Sequence, residues 1–175
     1  MSWGKLLQPD LVLGGSILSL SPATLHHHAI RGVVLDVDET LVPTSTGAVS
    51  PELEQWVTQL KGDIPVWLVS NNLSQNRIGR IAKILDLPYI LGARKPSRRK
   101  LRQAVEAMNM PPEEVAMVGD RLFTDVLAGN RLGMFTVLVE PMVDPAKETR
   151  HYYVRNCEVW ISQRLGATLT ANNKK

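Results

Sequence analysis

Asp36 and Asp38 stand two apart directly after the apolar run Val33-Val34-Leu35, in the stretch Asp36-Val37-Asp38-Glu39-Thr40. Two carboxylates so placed, on backbone leaving a strand, can divide the work of phosphoryl transfer. One takes the phosphoryl group as a nucleophile; the other protonates the departing alkoxide and then activates water. On this reading Asp36 is the nucleophile. Side chains two apart share a face in a continuing strand, so distinct roles require the chain to leave regular geometry after Asp36. Taken alone, Asp-x-Asp is equally a solvated turn or a helix cap.

A second pair of acids, Asp120 and Asp125, follows the apolar run Val115 to Val118 in Gly119-Asp120-Arg121-Leu122-Phe123-Thr124-Asp125. Carboxylates at a strand's end suit a hard divalent cation, and Mg2+ is commonly held by few carboxylates together with waters and substrate phosphate. Asp125 could also simply cap the helix that begins there. Ser70 ends the run Val66-Trp67-Leu68-Val69 and is followed by Asn71 and Asn72, so a hydroxyl and amide donors are available to a phosphate oxygen. Lys95, in Ala93-Arg94-Lys95-Pro96, offers a compact ammonium that could hold nucleophile and phosphate together.

The elements that must position these groups alternate along the chain. Short β-branched runs lie at Val33 to Val37, Pro65 to Ser70, Tyr89 to Leu91, Val115 to Gly119 and Met134 to Val139, with segments of helical period between them. That alternation predicts an α/β domain with a parallel sheet and crossover helices. Ser50-Pro51 reads as an N-cap with proline at the first helical position, opening a helix whose Leu53, Trp56, Val57 and Leu60 share a face before Gly62. A second helix is expected over about Asn76 to Leu85, with Ile78, Ile81, Ala82 and Leu85 inward and Arg77, Arg80 and Lys83 outward. A third covers Ser97 to Met108, and a short one runs from Asp125 to Leu132 with Gly133 closing it.

The chain of 175 residues, 44% hydrophobic and 21% charged, has the make-up of one folded domain. A single cysteine, Cys157, excludes an intramolecular disulfide and a thiolate zinc cluster. The apolar stretch Leu11 to Leu20 is too short to span a bilayer, and Pro9 and Asp10 stand where a signal peptide would be basic. The expected division is a leader over 1–31, packing on the domain or at a membrane surface, a core over 32–142, and an extension over 143–175 with a fraying end. His26-His27-His28 reads as a linker, because consecutive histidines do not easily converge on one metal.

In order, Asp36-x-Asp38-x-Thr40, Ser70, Lys95 and Gly119-Asp120-x-x-x-x-Asp125 resemble the four motifs of the haloacid dehalogenase superfamily. The resemblance covers residues 32 to about 140. It implies an Mg2+-dependent phosphatase working through an aspartyl-phosphate on Asp36, with Asp38 as acid/base. Ser70, Asn71 and Lys95 would bind phosphate, Thr40 would steady the loop, and Asp36, Asp120, Asp125 and the Asp38 carbonyl would hold the metal. It also implies a Rossmann-like sheet of about five strands in order 3-2-1-4-5, whose switch point lies between the first and fourth runs. Neither the short stretch Val42 to Val49 nor Asn71 to Arg94 has room for a cap domain, so the site is expected to be open.

Leu7-Gln8-Pro9-Asp10-Leu11, Ser70-Asn71-Asn72, Ala93-Arg94-Lys95-Pro96 and the run from Gly119 to Asn130 further resemble the YqeG-like group of subfamily IIIA, related to phosphatidylglycerophosphate phosphatases. The substrate this implies is a phosphomonoester on a phospholipid headgroup. The expected setting is cytoplasmic, with peripheral contact at the inner face of a membrane left open. Arg94, Arg98, Arg99 and Arg102 form an acid-free basic segment that is either a solvated helix face or a patch for an anionic partner. Nucleic acid fits poorly, because no aromatic residues are interleaved with the arginines. Two other readings remain: a soluble sugar-phosphate or nucleotide phosphatase, and a non-catalytic protein that binds anionic surfaces. Retention of both Asp36 and Asp38 speaks against the second.

Overall fold

The computed structural model describes residues 3–142 together with 158, 159, 163, 164 and 166. Most of the expected extension over 143–175, including Cys157, lies outside the described residues. In chain order the principal elements are α1 (Trp3–Leu6), β1 (Leu11–Val12), α2 (Pro22–His27), β2 (Gly32–Leu35), α3 (Pro51–Lys61) and β3 (Val66–Val69). There follow α4 (Gln75–Leu85), β4 (Tyr89–Ile90), α5 (Arg99–Ala107), β5 (Val115–Gly119), a π-helical turn over Leu122–Val126, α6 (Leu127–Leu132) and β6 (Phe135–Leu138).

All strand pairs are parallel, and the sheet order is β1-β6-β5-β2-β3-β4. The expected α/β class and the expected order of five strands are present, running from β4 through β3, β2 and β5 to β6. The sheet nevertheless has six strands, not five. Leu11 and Val12 pair with Val137 and Leu138, so part of the leader extends the sheet at its edge. A two-residue strand has no periodicity to read, and it forms only because the edge of β6 offers unpaired backbone groups.

Period-two alternation in the central strands faces both layers of helices, as a sheet covered on both sides requires. Val33, Leu35, Ala116 and Val118 pack with Val57, Leu60, Ile78 and Ile81 of α3 and α4. Val34, Val115 and Met117 pack with Leu101, Ala104 and Val105 of α5 and Ala128 of α6. Each fully buried Leu or Ile here contributes on the order of 1.5–3 kcal/mol of burial, which makes the sheet a firm base for loops at its C-terminal edge.

The helix starts follow their caps. Ser50 accepts from the Leu53 N–H at 3.2 Å, and Ser74 caps α4 through the Arg77 N–H at 3.4 Å. Ser21-Pro22 repeats the first arrangement, with Ser21 accepting from the Thr24 N–H at 3.1 Å. His26 and His27 therefore end a helix rather than forming the expected linker. His26 Nε2 meets Asp63 Oδ2 at 2.5 Å on the surface.

Only a loop with an isolated Asp38–Val42 bridge joins β2 to α3, and a single helix joins β3 to β4. No cap domain is inserted at either place. The leader is tied down by Asn130, whose Nδ2 donates to the Leu6 and Gln8 carbonyls at 2.9 and 2.8 Å. Asp10 Oδ2 accepts from the Thr136 N–H at 2.8 Å. Leu7 is buried against Leu127, whereas Trp3 is 63% exposed.

Candidate active site

β2 is flanked by β3 on one side and β5 on the other, so the connections after β2 and β4 leave in opposite directions. The gap at the C-terminal ends of β2 and β5 is the switch point of the sheet, where parallel α/β sheets bind ligands. Leu35 lies opposite Val118 and Gly119 opposite Leu138. The residues that follow, Asp36 and Asp120, therefore emerge side by side. Strand geometry ends at Leu35, and Glu39 takes a positive φ of 64°, so the chain leaves the strand where separate roles for Asp36 and Asp38 require it.

Asp36, Asp120 and Asp125 are buried, and each presents a carboxylate oxygen within 4.8 Å of the others. Lys95 Nζ lies between two of them, 2.5 Å from Asp36 Oδ1 and 2.7 Å from Asp125 Oδ1, and donates to the Val69 carbonyl at 2.9 Å. Thr40 Oγ1 donates to Asp120 Oδ1 at 3.1 Å and makes a longer contact of 3.4 Å to Asp36 Oδ2. Burial pushes the Asp36 carboxyl up to about 7, opposed by the Lys95 ammonium and reinforced by the charge of Asp125. Burial, and the charges of Asp125 and Asp36, hold Asp120 well above the ordinary carboxylate range. Burial disfavours the Lys95 ammonium, yet Asp125 and Asp36 outweigh it and keep the lysine charged beyond its usual range. Three buried, mutually repelling carboxylates, two of them bridged by the Lys95 ammonium, fit a hard divalent cation, which prefers oxygen donors and would offset their repulsion.

Gly119 makes the cluster possible. A Cβ there would lie 2.4 Å from Asp125 Cγ, so the carboxylate of Asp125 occupies space that any other residue would fill. The π-helical turn over Leu122–Val126 carries Asp125 back over the strand end, and Asp125 Oδ2 accepts from the Arg121 N–H at 3.3 Å.

Comparison with known proteins decides the family. Residues 92–159 match a family profile described as "HAD-hyrolase-like". The chain is 36% identical to "Probable phosphatase YqeG" of Bacillus subtilis (strain 168), over 79% of this chain and 80% of that protein. The chain belongs to the haloacid dehalogenase-like family. It is also 33% identical to phosphatidylglycerophosphate phosphatase 1, chloroplastic/mitochondrial, of Arabidopsis thaliana, over 80% of this chain but 43% of that protein. A haloacid dehalogenase-like hydrolase from Streptococcus pneumoniae shares the fold at a TM-score of 0.55 and 13% identity, covering 67% of this chain and 89% of that one.

Within this haloacid dehalogenase-like fold, the residues singled out in the sequence are not all brought to one place. Asp36, Asp120, Asp125, Lys95 and Thr40 form the buried cluster. Asp38 turns its carboxylate away from it: Oδ2 accepts from Asn72 Nδ2 at 3.0 Å and from Ser70 Oγ at 3.5 Å. Asn71 uses its side chain on the lysine loop, accepting from the Lys95 N–H at 2.7 Å and donating to the Lys95 carbonyl at 3.3 Å. Arg98, Arg99 and Arg102 line a surface groove of about 650 Å³ together with Ser97, Glu106 and Arg131. Arg94 is exposed, takes a positive φ of 52°, and does not line that groove.

Two contributors escaped the sequence reading. Arg77, expected to face outward, instead reaches Asp38 Oδ1 through Nε at 3.1 Å and Nη2 at 2.9 Å. Glu158 accepts from Arg121 Nη2 at 2.7 Å and from the Leu122 N–H at 3.2 Å, bracing the turn that carries Asp125. Local sequence gives no signal for either, since their partners lie 39 and 37 residues away.

Proposed function

We propose that the protein is an Mg2+-dependent phosphomonoester hydrolase that forms an aspartyl-phosphate on Asp36. The observation that carries this reading is the Lys95 ammonium bridging Asp36 and Asp125 inside a cluster of three buried carboxylates at the switch point. Asp36, Asp120 and Asp125, with the Asp38 carbonyl, would hold the cation; its chemistry there is to neutralise charge between the carboxylates and the phosphate.

A carboxylate oxygen of Asp36 attacks phosphorus as the ester P–O bond breaks, and Asp38 gives a proton to the departing oxygen. Asp38 then takes a proton from the water that cleaves the acyl-phosphate, which releases inorganic phosphate and restores Asp36. Lys95 and Ser70 hold phosphate oxygens, and Asn71 acts by fixing the Lys95 loop. Among the described residues, neither the loop after β2 nor the connection from β3 to β4 inserts a lid over the site, which suits substrates that bring their own surface.

For the substrate, a phosphomonoester on a phospholipid headgroup is favoured by similarity to the Arabidopsis phosphatase and by the arginine-lined groove. No helix among the described residues is long and apolar enough to cross a membrane. A soluble sugar phosphate or nucleotide is the competing substrate class.

The direct test is Asp36→Asn, with purified protein assayed for phosphate release and wild type probed for an acid-stable, base-labile phosphoryl-enzyme. Loss of turnover with retained folding is expected, because a site carboxylate of this kind repels its neighbours rather than stabilising them. Wild-type turnover by Asp36→Asn would end the mechanism. A substrate panel including phosphatidylglycerophosphate in detergent micelles separates the lipid reading from the soluble one.

A further inference from the structure

Asp38 is anchored from two elements. Asn72 and Ser70, at the end of β3, hold Oδ2, while Arg77, in the first turn of α4, holds Oδ1 with two N–H groups of one guanidinium. Arg77 is itself fixed: Nη2 also donates to the Pro43 carbonyl at 3.1 Å, and its side chain is only 16% exposed. It reaches Asp38 by passing over Gly47, where the backbone has a φ of +59° and a Cβ would lie within contact of Arg77 Nη1. A charged side chain this buried and this fully engaged, spanning from α4 to the loop after β2, does more than solvate a helix face.

We propose that Arg77 is a positioning residue for the acid/base Asp38, held in place by the space left at Gly47. The inference rests on the reading of Asp38 as the group that protonates the leaving oxygen. In that step the ester P–O bond breaks, its electron pair goes to the leaving oxygen, and the proton of the Asp38 carboxyl follows it. Arg77 fixes Oδ1 while Asn72 and Ser70 hold Oδ2, so the carboxyl is kept in one orientation beside Ser70, one of the residues assigned to phosphate. Without the guanidinium, the Asp38 carboxylate keeps, among the described residues, its contacts to Asn72 and Ser70, and it can rotate out of line.

The test exploits how much a leaving group needs a proton. p-Nitrophenolate departs readily without one, whereas unsubstituted phenolate depends more on an aligned acid, and the two substrates are nearly the same size. kcat/KM reports the step up to loss of the leaving group, so a series of ring-substituted phenyl phosphates, assayed with saturating Mg2+, isolates this role. Acid/base groups typically contribute about 10² to 10⁴-fold. Arg77→Gln should lower kcat/KM for phenyl phosphate by about 100-fold, and by at least about ten-fold more than for p-nitrophenyl phosphate. Arg77→Lys, which keeps the charge but not the forked donor, should fall between. Gly47→Ala, which touches Asp38 nowhere, should reproduce the steeper leaving-group dependence by displacing the guanidinium.

Parallel losses across the series in the Arg77 variants would reduce Arg77 to structural support, and no loss would remove it from the site altogether; either overturns the proposal. So would a Gly47→Ala enzyme with the wild-type dependence. Failure of the phosphatase mechanism would show separately, as full turnover by Asp36→Asn.

Discussion

Asp120 illustrates how a residue of the proposed metal site can weaken the resting fold. It is buried beside two other carboxylates, and Thr40 gives it one hydrogen bond at 3.1 Å. The sign of the pH effect follows from Asp36, whose carboxyl releases its proton near 3.8 when unfolded and near 7 when folded. Between those values the folded chain binds more protons than the unfolded chain, so stability without metal falls as pH rises from about 4 to about 7, then levels off. A divalent cation competes with that proton, so its stabilising effect should grow over the same window. Thermal melts in EDTA and in Mg2+ across this range measure both trends. Asp120→Asn should raise the melting temperature in EDTA and abolish the extra stability given by Mg2+; a lower melting temperature in EDTA would mean that Asp120 is a net stabiliser of the metal-free fold.

At the scale of elements, the cluster depends on a close approach between β5 and the turn that follows it. Gly119 ends β5, and Asp125 folds back until its Cγ stands 2.4 Å from where a Cβ on Gly119 would be. Gly119→Ala must push the Leu122–Val126 turn outward. Such overpacking costs roughly 1–3 kcal/mol, which a core of this size can absorb. Misplacing a carboxylate of the proposed metal site by about 1 Å is the larger effect, on the order of a 10²-fold loss of turnover. The variant should therefore keep its far-ultraviolet circular dichroism and lose both activity and Mg2+-dependent stabilisation. Retained activity would show that Asp125 tolerates another position. Glu158, from the C-terminal extension, braces this turn through Arg121 and the Leu122 N–H.

Over the whole molecule, the arginine groove and the active site share one connection. Lys95 reaches Asp36, and two residues on, Ser97 begins the wall of the groove. Arg131 ties the two together by donating to the Pro96 carbonyl at 2.9 Å, while Arg98 donates to the Arg131 carbonyl at 3.0 Å. If this face meets an anionic membrane, each arginine adds roughly 1 kcal/mol of attraction, screened over about 8 Å at physiological ionic strength. Replacing Arg98, Arg99 and Arg102 with glutamine should reduce association with anionic vesicles and turnover of a lipid phosphomonoester. Hydrolysis of a small chromogenic phosphate should change much less, since Asp36, Asp38 and Lys95 are untouched. Equal losses on both substrates would assign the arginines to the catalytic fold, and no loss on either would leave them a solvated helix face.

The order of Asp36, Asp38, Ser70, Lys95, Asp120 and Asp125, each after an apolar run or in a short loop, was readable from the chain, because strand ends and turns are set by near neighbours. The same holds for α3, legible from its Ser50 cap and a period near 3.6, and for α4, legible from its period alone, since both signals act over a few positions. What sequence order leaves open is which side chains face one another across the sheet. Only the tertiary structure gathers Asp36, Asp120 and Asp125 into one cluster while turning Asp38 toward Arg77, because that division depends on β5 lying beside β2 with Leu35 opposite Val118. Arg77 looks like one of three solvated cations on α4 until the loop after β2 is laid across the start of that helix. Leu11 and Val12 become a strand for the same reason: their hydrogen-bonding partner, β6, is more than 120 residues away, and no local propensity encodes a pairing at that distance.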